Sequence, residues 1–96
     1  VGGSAKLGCR YHLADASLYS VKWYKDGTEF FRYLPGDYPP TQAYHLRGVT
    51  VNVTASDATS VLLKELSLAS EGTYRCEVSS GAPSFATVAG ERVLNI

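Results

Sequence analysis

The stretch 19–33, Tyr-Ser-Val-Lys-Trp-Tyr-Lys-Asp-Gly-Thr-Glu-Phe-Phe-Arg-Tyr, constrains this chain more than any other. Asp26-Gly27 at its centre tolerates positive φ, which suits a tight turn between two antiparallel strands. Trp23, the only tryptophan, stands in the first strand of this hairpin, between the only two cysteines, Cys9 and Cys76. A two-residue turn pairs Lys25 with Thr28, Tyr24 with Glu29, Trp23 with Phe30 and Lys22 with Phe31. Directly opposed residues share a face, so Val21, Trp23 and Phe30 are expected in the core. Lys22, Tyr24, Glu29, Phe31 and Tyr33 are then expected to face outward. A three-residue loop exchanges the two sets, because a one-residue slip turns every side chain over.

The rest of the chain reads as further strands. Ala5, Leu7, Cys9 and Tyr11 alternate with polar or small residues, the period of a half-buried strand. Residues 12–17 break that pattern. The segment 34–46 carries Pro35, Gly36, Pro39 and Pro40, which excludes a central strand and predicts a long surface connection. Val49, Val51 and Val53 alternate with Thr50, Asn52 and Thr54, predicting an edge-like strand with Asn52 outward. In the next strand, 61–66, either Val61 and Leu63 or Leu62 and Leu66 face inward. Residues 69–72 form a corner, Tyr74, Cys76 and Val78 alternate inward, 80–86 is a loop, and 93–96 is a last strand. No helix period runs for ten residues. These short strands with regular turn signals predict an all-β antiparallel sandwich.

At 96 residues, with 45% hydrophobic and 19% charged, the chain fills one domain spanning 1–96. Nine basic and nine acidic residues cancel, which excludes the basic excess of a nucleic-acid or anionic-membrane surface. No apolar run approaches the roughly 20 residues of a membrane span. Lacking a start methionine and an apolar leader, the sequence reads as an excised mature domain. The sequon Asn52-Val53-Thr54 is a glycosylation acceptor in a secretory protein.

Cys9, Trp23, Tyr74 and Cys76 together resemble the immunoglobulin framework. That resemblance implies a disulfide Cys9–Cys76 between two sheets, Trp23 packed against it, and a tyrosine corner at Tyr74. Leu7, Val21 and Phe30 join Trp23 and Tyr74 in the expected core. The long segment before Val49 leaves room for extra strands beside the hairpin, favouring the variable type. Ser70 departs from that pattern, which has an aspartate six positions before the second cysteine and a salt bridge across that end. The Gly-x-Gly bulge of antibody-type last strands is absent too, with only Gly90 nearby.

The runs Gly-Ser-Ala-Lys-Leu-Gly-Cys-Arg-Tyr (3–11), Leu-Tyr-Ser-Val-Lys-Trp-Tyr-Lys-Asp-Gly (18–27) and Tyr-Arg-Cys-Glu-Val-Ser (74–79) resemble the first immunoglobulin domain of the Beaten path (Beat) family. Phe30-Phe31-Arg32-Tyr33, Pro39-Pro40, Gly48-Val49-Thr50-Val51 and Ala82-Pro83-Ser84-Phe85 fit the same pattern. The resemblance implies an arthropod neuronal cell-surface or secreted protein that binds Sidestep-family immunoglobulin receptors in axon guidance and synaptic partner choice. It also implies an N-terminal strand that lies outside this sequence.

The expected partner-binding set is Lys22, Tyr24, Glu29, Phe31, Tyr33, Arg75 and Glu77 on one sheet face, with Phe85 in a loop at its end. Aromatics among balanced charge are the composition of an interface. The competing readings are a spacer or generic adhesion domain, or one that pairs with a second copy. For an enzyme the chain has only His12 and His45, with no Gly-rich phosphate loop, HExxH or Gly-x-Ser-x-Gly. No cofactor, metal or small-molecule substrate is expected.

Overall fold

The computed structural model describes residues 2–9, 18–57, 59–80 and 87–95. Among the described residues seven strands form two layers: β1 (Ala5–Gly8), β2 (Leu18–Lys25), β3 (Thr28–Tyr33), β4 (Thr41–Ala43), β5 (Ser60–Leu63), β6 (Gly72–Ser80) and β7 (Thr87–Leu94). The back layer pairs β1 with β5, and the front sheet runs β4-β3-β2-β6-β7, with antiparallel pairing throughout. Short 3-10 turns occupy Val53–Ala55 and Leu68–Ser70. The fold is thus an all-β, immunoglobulin-like sandwich of the variable type.

The Cys9–Cys76 disulfide joins the two layers with 6.1 Å between Cα atoms. Its ends are 67 residues apart in sequence, so closing that loop removes about 4 kcal/mol of unfolded-chain entropy in the loop-entropy treatment. Around it Leu7, Val21, Trp23, Phe30, Phe31, Val61, Leu63, Tyr74 and Val78 are buried. Of the alternatives for β5, Val61 and Leu63 face inward. Leu66 beyond the strand is buried as well, while Leu62 is half-buried.

The hairpin departs from simple register. Asp26 and Gly27 both take positive φ, 49° and 88°, as a two-residue turn requires. Lys25 pairs with Thr28 and Tyr24 with Glu29, as expected, but Trp23 then pairs with Phe31, Lys22 with Arg32 and Val21 with Tyr33. Phe30 is the extra residue of a β-bulge. The expected Trp23–Phe30 and Lys22–Phe31 pairs therefore do not form. The physical reason is burial: Phe30 and Phe31 are both 0% exposed. Strict alternation would leave one ring in water and forfeit roughly 2 kcal/mol of apolar burial.

Two further expectations are corrected. Residues 49–54 make only isolated bridges, Leu46 with Val49 and Val51 with Leu63, rather than a continuous strand. The Asn52 carbonyl accepts from Ala55 N and Ser56 Oγ, which curls the chain into a 3-10 turn and leaves Val53 exposed. The last strand, expected over 93–96, already begins at Thr87, since Gly90 lies opposite Cys76 without breaking the β6 pairing.

At one end of the sandwich Tyr74 Oη donates to the Ser70 carbonyl at 2.6 Å, the expected tyrosine corner. The missing aspartate is replaced by a neutral network. Ser70 Oγ donates to the Gly48 carbonyl at 2.6 Å and accepts from Ser67 N at 3.0 Å.

Candidate functional site

The outward face of the front sheet is built by alternation. Trp23, Cys76 and Val78 point inward and are buried, so Lys22, Tyr24, Arg75 and Glu77 point outward. Two cross-strand rows result. In one, Gln42, Arg32, Lys22, Glu77 and Ala89 follow one another across β4, β3, β2, β6 and β7. In the next, Glu29, Tyr24, Arg75 and Glu91 cross β3, β2, β6 and β7. On β3 the cation is in the first row and the anion in the second; on β6 the order is reversed. Opposite charges therefore alternate along β3 and β6 and across the second row, while in the first row Arg32 and Lys22 form a cationic pair that faces Glu77.

Tyr24 sits on the middle strand of this pattern. Its hydroxyl lies 3.5 Å from Glu77 Oε1, at the outer limit of a hydrogen bond. Partial burial, and then the negative charges of Glu77 and Glu29, raise its pKa above the ordinary phenol value. Arg75 lies 3.5 Å from the other Glu77 oxygen. Arg32 Nε donates to Glu29 Oε2 at 2.8 Å, which holds the guanidinium charged. Arg32 also stands over the Tyr44 ring, 5.3 Å from its centroid, and Tyr44 Oη donates to Gln42 Oε1 at 3.2 Å. Exposed ion pairs of this kind each contribute at most about 1 kcal/mol to folding. The fold therefore does not depend on the pattern.

The expected binding set divides. Lys22, Tyr24, Glu29, Arg75 and Glu77 lie on this face. Phe31 does not: the bulge turns it inward, opposite Trp23, where it is fully buried. Tyr33 follows it, opposing Val21 and packing half-buried against the core. Phe85 and His12 lie outside the described residues. The bulge that withdraws Phe31 and Tyr33 brings out Arg32, absent from the expected set, together with Gln42 and Tyr44. The adjacent Phe30-Phe31 pair is the one sequence sign of that shift, because perfect alternation cannot bury both. Nothing in the Pro-rich segment marks Tyr44.

Leu7, Val21, Trp23, Phe30 and Tyr74 are all buried; Phe30 meets Tyr74 edge to face, with 5.8 Å between centroids. Asn52, expected outward, is half-buried. Among the described residues no group of three or more His, Cys, Asp or Glu is placed to hold a metal. Among them, too, no helix is long and apolar enough to cross a membrane.

The Immunoglobulin V-set domain family matches residues 1–94, so the chain belongs to the V-set immunoglobulin family. The amphioxus IgVJ-C2 molecule is similar in structure, with a TM-score of 0.73 and 24% identity over 96% of this chain. This chain spans 50% of that molecule's length. Domain 1 of VCBP3 from Branchiostoma floridae gives 0.72 and 23% identity, covering 99% of this chain and 84% of that one. Murine CRIg gives 0.66 and 19%, covering 96% and 82%. No curated protein sequence matches the chain. V-set domains are generally non-enzymatic, and a disulfide-bonded one is typical of extracellular or cell-surface proteins.

Proposed function

We propose that this domain is the protein-recognition module of a neuronal cell-surface or secreted immunoglobulin-superfamily protein. Its front sheet binds a Sidestep-type immunoglobulin receptor in axon guidance and synaptic partner choice. The observation that carries the recognition reading is the ordered pattern of mixed charge around Tyr24. Each row presents both signs, and neighbouring rows are out of phase on β3 and β6. A partner face must match that order to avoid opposing like charges, which gives specificity and fixes register more than it gives raw affinity. Tyr24 and Tyr44 supply amphipathic anchors within it. The resemblance to the Beat family supplies the partner class.

A pairwise screen against extracellular immunoglobulin proteins, with the chain itself included, tests this. Binding to a Sidestep-type ectodomain is expected, weakened at least tenfold by Tyr24→Ala or Arg32→Glu. Binding only to unrelated proteins, or only to a second copy, would overturn the partner assignment. Binding unchanged by both substitutions would move the interface off this face.

A further inference from the structure

The front sheet leaves the sequon Asn52-Val53-Thr54 unexplained, and its setting is specific. Val51 bridges Leu63, both on the core side of the back layer. Alternation then places Asn52 on the outer side, where its backbone N–H donates to the Leu62 carbonyl at 2.9 Å. Leu62 pairs in turn with Lys6 on β1. Asn52, Leu62 and Lys6 thus form one row across the outside of the back layer. Thr50 and Lys64, joined at 2.9 Å, stand in the row beside it. Thr54 Oγ1 donates to Asn52 Oδ1 at 2.8 Å, so the sequon hydroxyl already engages the acceptor amide. Val53, Thr54 and Ala55 are exposed, so the turn that follows presents no packed surface to an approaching enzyme.

We infer that Asn52 carries an N-linked glycan rooted on the outer face of the back layer. In the transfer, Asn52 Nδ2 forms a bond to C1 of the first sugar of a lipid-linked oligosaccharide. The bond from C1 to the pyrophosphate oxygen breaks, the lipid pyrophosphate leaves, and the Nδ2 proton passes to a base of the transferase. No electrons are exchanged. The sugar nearest the protein then covers half-buried Leu62, the one apolar side chain in a row otherwise formed by Asn52 and Lys6. This places the glycan on the layer opposite Tyr24, so it shields one sheet and leaves the other open.

The test directs the full chain into the secretory pathway of a eukaryotic cell. Intact mass before and after peptide N-glycosidase should show one oligosaccharide, with Asn52 converted to aspartate on release. Thr54→Ser should keep the modification, whereas Thr54→Val and Asn52→Gln should each lose it while the disulfide-bonded chain is still secreted. A secreted, disulfide-bonded chain without sugar on Asn52 overturns the inference. Its placement is read separately by amine labelling, with and without the glycan. Labelling of Lys6 and Lys64 should fall at least twofold when the glycan is present, and Lys22 should be unchanged. Protection at Lys22 instead of Lys6 and Lys64 overturns the placement. Neither readout depends on a receptor, so failure of the proposed partner leaves this inference standing, and the reverse.

Discussion

Trp23 faces Phe31 across the hairpin, and Phe30, between Phe31 and Glu29, has no partner on β2. One inserted residue thus sends two neighbouring rings into the same core, one against the strand that carries Trp23 and one onto Tyr74. It also decides which residues of β3 reach solvent.

Phe30→Ala and Phe31→Ala should therefore both behave as core truncations. Each is expected to cost about 3–5 kcal/mol, read from urea unfolding midpoints at unchanged slope. A near-neutral Phe31→Ala would mean that Phe31 is on the surface and the bulge is absent.

The same bulge marks the limit of what is legible in the sequence. The Cys9–Cys76 link and the corner at Tyr74 are readable through the resemblance to the immunoglobulin framework. The strands with their inward faces and the turn at Asp26-Gly27 are readable because they rest on strict alternation and local chemistry. The outward set on β2 and β6 follows for the same reason. The outward set on β3 does not, since an insertion by one residue reverses every later side chain. Residues 49–54 mislead differently. Val49, Val51 and Val53 alternate like a strand, but hydrogen bonds to the Asn52 carbonyl end it.

Gly48 should resist substitution. Its φ is +81°, and a Cβ there would overlap the Ala69 carbonyl on the second 3-10 turn. Gly48→Ala is expected to cost about 2–3 kcal/mol, from left-handed strain and from the shift forced on Ala69. Ser70→Ala, which frees the Gly48 carbonyl and Ser67 N–H inside the same corner, should cost about 1–3 kcal/mol. Thermal unfolding of the two single variants and the double variant checks this. Because both changes meet at Gly48, their effects should not add.

The tyrosine corner predicts an alkaline limit to stability. Burial, with a smaller contribution from the negative charge of Asp26, pushes the Tyr74 phenol up to about 12. The unfolded phenol titrates near 10. The folded pKa is the higher one, so the contribution is complete below pH about 10 and is lost as pH climbs toward about 12. Tyr74→Phe should flatten that decline while costing about 1–2 kcal/mol at neutral pH, through the lost bond to the Ser70 carbonyl. An unchanged alkaline profile in Tyr74→Phe would assign the decline to another group.

At acid pH the hairpin turn should matter. Asp26 Oδ1 accepts from Thr73 N at 3.0 Å, tying the turn to β6, and Lys25 Nζ lies 3.2 Å from Oδ2. The Thr73 amide first, and Lys25 second, hold the Asp26 carboxyl below its usual range. Its folded pKa is depressed, so its contribution is present above the unfolded value near 4 and fades as pH falls below it. Asp26→Asn should keep the positive-φ turn and a carbonyl for Thr73, yet lose that acid dependence. Asp26→Ala should lower the melting temperature further, since alanine neither caps β6 nor favours a φ of 49°.

The charge order on β3 separates folding from recognition. Glu29 and Arg32 form a 2.8 Å pair, so exchanging them as Glu29→Arg with Arg32→Glu conserves the pair and the net charge. Stability should change by no more than about 0.5 kcal/mol. The pattern shown to a partner is inverted, however. Arginine then stands in the row with Tyr24 and Arg75, and glutamate in the row with Lys22 and Glu77. Receptor binding should fall at least tenfold, with a slower association rate and an altered salt dependence. Surface plasmon resonance at two ionic strengths reads both. If the exchanged chain binds as the original does, β3 is not part of the interface, and the contact must lie toward β6 and β7.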